Sequence, residues 1–265
     1  MRWTWILAAL LLVGAIGCKK EPAGENAAAP SDTVAGQPVT AGPASKASPE
    51  EQRQAATAPD AELEPKSMPL DQVPKELRHQ GYEYYGLSNL DSVELEMKGQ
   101  GQILSGTRST RLVEVAGGKA TFEVEHSGGL AGLGVSTYSV ENDGVYATKI
   151  SIGSFKPPHR MEIPADLKPG ATWGGPITLS MNDGNRVKTN LMYRVVGPEK
   201  VKTRAGVFDA ILVTASGNGI AGSQKTKETM KLWFAKGVGP VKILMKRTVG
   251  KITSQSTIEA TKVSK

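Results

Sequence analysis

Four sets of residues in this 265-residue chain have types and spacings that could do chemistry: a glycine fingerprint, three histidines, a pair of glutamates and one cysteine. Gly217-Asn218-Gly219-Ile220-Ala221-Gly222 spells G-x-G-x-x-G, whose glycines bring backbone amides against the pyrophosphate of a dinucleotide. That chemistry also needs a helix opening at the motif and an acidic residue about 20 positions on. Ser223-Gln224-Lys225-Thr226-Lys227 follows instead, and the later region holds Lys242. A flexible hairpin loop accounts for the glycines. His79, His126 and His159 lack ligand spacing, whereas zinc needs three or four convergent donors, so they are expected on the surface or in turns and no metal site is expected. Glu123 and Glu125 share one strand face, as residues on the wet side do. No serine sits in a G-x-S-x-G elbow, and no nucleophile can be assembled with a base. The expectation is a protein without a catalytic site or cofactor.

Cys18 is the exception. It follows an apolar run from Ile6 to Ile16, too short for the roughly 20 residues of a membrane-spanning helix but of signal-peptide length. Ala15-Ile16-Gly17-Cys18 resembles a lipobox, the site where bacterial lipoproteins are lipid-modified and cleaved. The resemblance implies cleavage between Gly17 and Cys18, a thioether-linked diacylglycerol on the thiol, and an acyl chain on the new amino terminus. Several chains at about 0.8 kcal/mol per buried methylene make a durable anchor, where one alone is marginal. A lone cysteine excludes an intramolecular disulfide and a Cys-His metal site. Lys19 and Lys20 replace the aspartate associated with inner-membrane retention in enteric bacteria, which favours the outer membrane.

The elements that follow divide the chain. Residues 1–17 read as signal peptide, and 18–66 as the lipidated cysteine with a disordered Ala/Pro-rich linker. Large apolar side chains are nearly absent there, so burial cannot offset the ordering entropy. At about 5–6 Å times the square root of the residue number, such a tether reaches roughly 40 Å. Residues 67–80 form a lead-in, with a short helix expected between Pro74 and Gln80, and residues 81–265 form an antiparallel β domain. Thr121-Phe122-Glu123-Val124-Glu125 alternates apolar with polar, and Ala210-Ile211-Leu212-Val213-Thr214 is rich in β-branched side chains. Gly117-Gly118, Asn142-Asp143-Gly144 and Asn182-Asp183-Gly184-Asn185 supply hairpin turns. Counting runs between turns predicts ten to twelve strands, arranged as a sandwich, a barrel or an open half-barrel.

Trp233-Phe234-Ala235-Lys236-Gly237-Val238-Gly239-Pro240-Val241-Lys242 resembles a W-[FY]-A-P-G-V-G-x-V-K signature of bacterial envelope lipoproteins of unknown function. Leu167-Lys168-Pro169-Gly170-Ala171-Thr172-Trp173 and Val201-Lys202-Thr203-Arg204-Ala205-Gly206-Val207-Phe208 are similar to two further pieces, in the expected order. The stretch runs from Ala165 to Lys246, with Lys236 and Arg204 standing where that family commonly has proline. The resemblance implies an antiparallel half-barrel or open curved sheet, related in shape to envelope carriers of lipids and lipoproteins, and brings no catalytic residues. From the residues alone, Trp233 and Phe234 point to opposite faces, so one belongs in the core and the other should be partly exposed. Gly237 and Gly239 allow a turn or bulge, and Phe208 reads as a core anchor.

Charge is uneven. Residues 81–185 carry 8 Lys and Arg against 12 Asp and Glu, whereas residues 186–265 carry 16 against 4. Lys200, Lys202, Arg204, Lys225 and Lys227 are the candidate surface for an anionic partner, though lysines that guard sheet edges produce the same pattern. The function expected is that of a lipid-anchored envelope protein binding a lipid, a hydrophobic ligand, lipopolysaccharide or an envelope protein. The alternative is a structural or assembly factor that presses its basic half against membrane or cell wall. Nucleic acid is not an expected partner, since an exported chain without an aromatic-basic reading surface is ill suited to it.

Overall fold

The computed structural model describes residues 68–89, 92–157 and 159–264. Cys18, the Gly17–Cys18 cleavage site and the linker lie outside the described residues. Among the described residues thirteen strands follow in order: β1 (Val93–Gly99), β2 (Gln102–Ala116), β3 (Lys119–His126), β4 (Val135–Glu141), β5 (Gly144–Ile150), β6 (Gly153–Lys156), β7 (Arg160–Pro164), β8 (Thr172–Met181), β9 (Arg186–Thr203), β10 (Gly206–Ala221), β11 (Gln224–Ala235), β12 (Gly239–Val249) and β13 (Ile252–Val263). All pairings are antiparallel. Twelve strands close on themselves in the order β4-β3-β2-β1-β13-β12-β11-β10-β9-β8-β6-β5, because β4 also pairs with β5.

The sheet is therefore a closed barrel with β7 as an extra strand, and the expected half-barrel or open curved sheet is corrected. Closure is thinnest at one seam. β5 meets β6 through a single residue pair, Ile150 with Gly153, and β7 takes the rest of that edge of β5 without pairing to β8. Whether a sheet closes depends on strand tilt and stagger, which alternation along single strands does not encode.

β9 shows why these sequences form strands with two distinct faces. Val187, Thr189, Leu191, Tyr193 and Val195 are buried inside the barrel, while Arg186, Lys188, Asn190, Met192 and Arg194 face out. An eight-stranded barrel is just wide enough for its own side chains to fill, so a twelve-stranded one leaves a lumen. Two non-strand segments enter it. The lead-in consists of 3-10 turns at Leu70–Gln72 and Lys75–Leu77 and then a helix, α1 (Gln80–Tyr84). It buries Val73, Leu77, Tyr82 and Leu87 against Leu112, Phe122 and Val140. Met68 already packs with the strands, since its amide donates to the Leu112 carbonyl. A 3-10 turn at Gly128–Leu133 places the fully buried Leu130 against Gly106, where an added Cβ would meet the Leu130 side chain at 2.9 Å.

A second, smaller core lies outside the barrel. The ladder sets Glu96, Glu259, Lys242, Trp233 and Leu212 side by side on the outward face. One extra residue on β9, Val196, breaks the register opposite Leu212 and Val213, and the neighbouring Gly197 sits at φ +143°. Such a bulge bends the strand. The far end of the β9–β10 hairpin accordingly folds over that row, and the Ala205 amide donates to the Ala260 carbonyl. Val201, Leu212 and Trp233 bury one another there, while Phe208 is only partly covered. Trp233 and Phe234 do point to opposite faces, yet both are buried, at 6% and 4% exposure. The expectation that one of them is partly exposed is corrected. Phe234 is inside the barrel and Trp233 is under the hairpin.

Candidate functional site

What the lead-in and the 128–133 turn leave unfilled is a cavity of about 170 Å³ in the middle of the barrel. Its walls are largely apolar, with Val124, Leu133, Ile150, Met230, Phe234 and Ile243 from five different segments. The polar groups on it are few. Ser136 and Tyr138 come from β4 and Tyr85 follows α1, with the Tyr85 and Tyr138 rings 5.2 Å apart, edge to face. Burial pushes both phenols up, so neither ionises at neutral pH. Glu162 is held by the guanidinium of Arg160, which also lies 5.0 Å over the Phe155 ring, so that pair neutralises itself.

Arg108 on β2 is different. It is 8% exposed, its Nη2 donates to the Val238 carbonyl at 2.5 Å, and its Nε has no hydrogen-bond partner among the described residues. Burial lowers its affinity for a proton, and the titratable groups that act on it are the Tyr85 and Tyr138 phenols rather than a carboxylate. Two glycines make room for it. A Cβ on Gly86 would lie 2.6 Å from Arg108 Nη2, and one on Gly239 would lie 2.7 Å from both Nη atoms. The signature loop has a concrete job in this geometry. Gly237 donates its amide to the Glu83 carbonyl, Lys236 pairs with the Glu83 side chain at 3.0 Å, Val238 accepts from Arg108, and Phe234 and Pro240 wall the cavity.

His126 also lines the cavity, which corrects its expected place on the surface or in a turn. Burial, with the Arg108 charge second, lowers its pKa to about 4. Its folded pKa thus lies below the unfolded value near 6.5, so the unfolded chain takes up the proton first as pH falls. Stability is unaffected above about pH 6.5 and declines from there to about pH 4, by about 3 kcal/mol in all. Denaturant midpoints measured across that range should fall for the wild type and flatten for His126→Gln. An equal slope in the variant would assign the loss to other groups. Of the remaining histidines, His79 caps α1 by accepting from the Tyr82 amide, and His159 stacks on Tyr146 with Nε2 3.1 Å from Glu141. No group of three or more His, Cys, Asp or Glu among the described residues could hold a metal.

The other residues singled out by sequence are dispersed. Gly217 and Gly219 lie within β10, not in a flexible loop, and a Cβ on either would strike the β9 backbone at 2.5 or 2.2 Å. They are needed where β9 and β10 approach closely. Glu123 pairs with Arg111 across the outer face of β2 and β3. The five-residue basic surface is split. Arg204 binds Glu96 and Glu259, Lys200 pairs with Asp209 at 2.6 Å, and the Lys202 carbonyl accepts from Lys242. Lys225 and Lys227 are exposed at the opposite end of β11, ten residues or roughly 33 Å along the ladder from the Ala210–Ala235 pair. The cavity residues Arg108, Tyr85, Tyr138 and Glu162 were not singled out by sequence. The available signal was Arg108 at an even position of the Gln102–Ala116 run, on the same strand face as Leu104 and Leu112, whereas Arg111 lies on the other face.

The fold and cavity define the class, an all-β antiparallel barrel of twelve strands around a largely apolar lumen. A family model described as "Protein of unknown function (DUF3108)" matches residues 160–257, from β7 into β13. It takes in the whole Ala165–Lys246 stretch and agrees at that coarser level with a family of unknown function. No curated protein matches the chain. Three crystal structures are similar in fold. A candidate lipoprotein from Parabacteroides distasonis has 10% identity over 68% of this chain and 98% of its own, at a TM-score of 0.48. A candidate exported protein with a YmcC-like fold from Bacteroides fragilis has 14% identity over 67% and 96%, at 0.47. The hypothetical lipoprotein YmcC of Escherichia coli has 9% identity over 70% and 91%, at 0.32. At these scores the likenesses carry no weight beyond themselves.

Proposed function

We propose that the protein is a non-catalytic, lipid-anchored envelope protein that binds a small apolar ligand inside its barrel. The observation that supports this reading is the cavity of about 170 Å³ with largely apolar walls. An apolar cavity of similar size, about 150 Å³, stays dry and takes up benzene, so the volume suits a ring or one short alkyl chain. We assign the access route to the seam. A cleft of about 370 Å³ between β7 and β8, bordered by His159, Met161 and Gly174, shares Tyr193 with the cavity wall. The outer face of β9 and β11 carries Arg186, Lys188, Lys225, Lys227 and Lys231, which does not suit the apolar outward band of a membrane-embedded barrel. The body is therefore read as standing in water, with Cys18 supplying the membrane attachment. A wall- or membrane-pressing role for the basic half has less support, because Arg204 is occupied by Glu96 and Glu259.

Two measurements test the reading. Full-length protein expressed in a bacterium should incorporate labelled palmitate and fractionate with membranes, and Cys18→Ser should abolish both. Unchanged fractionation of Cys18→Ser would remove the anchor. Native mass spectrometry of gently extracted protein should show a small apolar adduct or, after stripping, uptake of short-chain alcohols. A barrel that takes up neither is not a binding protein of this kind.

A further inference from the structure

Resting on that reading, we infer that the ligand is a medium-chain carboxylate, its alkyl chain among the apolar walls and its headgroup on the Arg108 guanidinium. A charged group is costly to bury unless something neutralises it. Arg108 is more than nine-tenths buried, borders the cavity, and among the described residues has only a neutral backbone carbonyl as its hydrogen-bond acceptor. Its Nε has no hydrogen-bond partner among the described residues. The other charges at the cavity do not serve it. Glu162 is bound to Arg160, and His126 is neutral at physiological pH because its pKa is lowered to about 4. The cavity thus holds one uncompensated positive charge in an apolar surround.

Charge and volume together narrow the ligand class. A carboxylate brings one negative charge and a planar pair of oxygens, which suits a guanidinium. A phosphate monoester near its second ionisation would leave negative charge unneutralised, and a two-chain phospholipid exceeds a cavity of about 170 Å³. A single chain of about six to eight carbons is comparable with the small aromatic guests of cavities this size. Gly86 and Gly239, both at positive φ, keep the space beside the guanidinium clear of side chains.

Calorimetric titration of the stripped, full-length protein with octanoate, 1-octanol and octyl phosphate at about pH 7.5 tests the assignment, since octanoate is fully ionised there. Octanoate is expected to bind about tenfold or more tightly than octanol, and more tightly than octyl phosphate. Arg108→Met should erase the preference for octanoate while leaving octanol binding within about threefold, and Arg108→Lys should retain part of it. The wild-type comparison decides the matter even if Arg108→Met does not fold. Equal binding of octanoate and octanol overturns the carboxylate assignment but leaves the apolar binding function standing. Tighter binding of octyl phosphate also overturns it, in favour of a phosphate ligand. Binding of none of the three overturns both readings.

Discussion

Gly239→Ala is expected to destabilise the barrel by about 3 kcal/mol or more, against about 1–2 kcal/mol for Gly237→Ala two residues away. Both glycines have positive φ, +92° and +74°, so both variants carry the left-handed backbone penalty. Their surroundings differ. A Cβ at Gly237 meets nothing within 4 Å, whereas one at Gly239 meets both Nη atoms of Arg108 and the Tyr85 carbonyl at 2.7 Å. The carbonyl belongs to the lead-in packed inside the barrel, and the guanidinium has no alternative acceptor in view, so neither can retreat cheaply. Denaturant unfolding of the two variants side by side measures the difference. Equal losses would mean that the position requires only its backbone conformation and that the cradle around Arg108 is incidental.

Trp233→Ala is expected to cost about 3–5 kcal/mol, in the range for emptying a large aromatic site. For a body of this size each kcal/mol lowers the melting temperature by about 2–4 °C, so the loss is roughly 6–20 °C. The indole is 6% exposed although it stands on the outward face, because the β9–β10 hairpin lies across it. Its removal should therefore release that hairpin. Amide exchange of the Ala205 N–H, which is bonded to the Ala260 carbonyl, should rise well before the barrel unfolds. Trp233→Phe is the control. The indole N–H has no partner among the described residues, so phenylalanine keeps most of the ring and removes an unsatisfied donor. Its stability should stay within about 1 kcal/mol of wild type. A Trp233→Ala protein with unchanged hairpin exchange would show that the tip is held by the Arg204 ion pairs and not by the buried ring.

The same two residues show how far sequence reading extends. Their opposite orientation follows from strand geometry, which alternates side chains between faces whatever the fold. Their burial does not, because covering the outward face requires a hairpin thirty residues upstream to bend back at Val196 and Gly197. His126 and Arg108 were hidden for a related reason. Strand alternation alone sets His126 on the face of Phe122 and Val124 and Arg108 on the face of Leu112, but their polar types argue for the outside, and only the register of β2 against β3 places the two opposite each other. The glycines at 217 and 219 misled in the other direction, since a close approach of two strands and a loose loop call for the same small residue.

By itself the sequence determined the class of the elements and their order. Period-two alternation and turn chemistry are local properties, and they suffice to specify antiparallel strands from Val93 onward. The cysteine at the end of a short apolar run is equally local, which is why the anchoring reading needs no tertiary information. Closure into a barrel, the plugging of its lumen by residues 68–89 and 128–133, and the unpaired Arg108 facing the remaining space were decided by the tertiary structure alone. Tilt and stagger accumulate over twelve strands before the two edges meet, and no window of a few residues carries that sum.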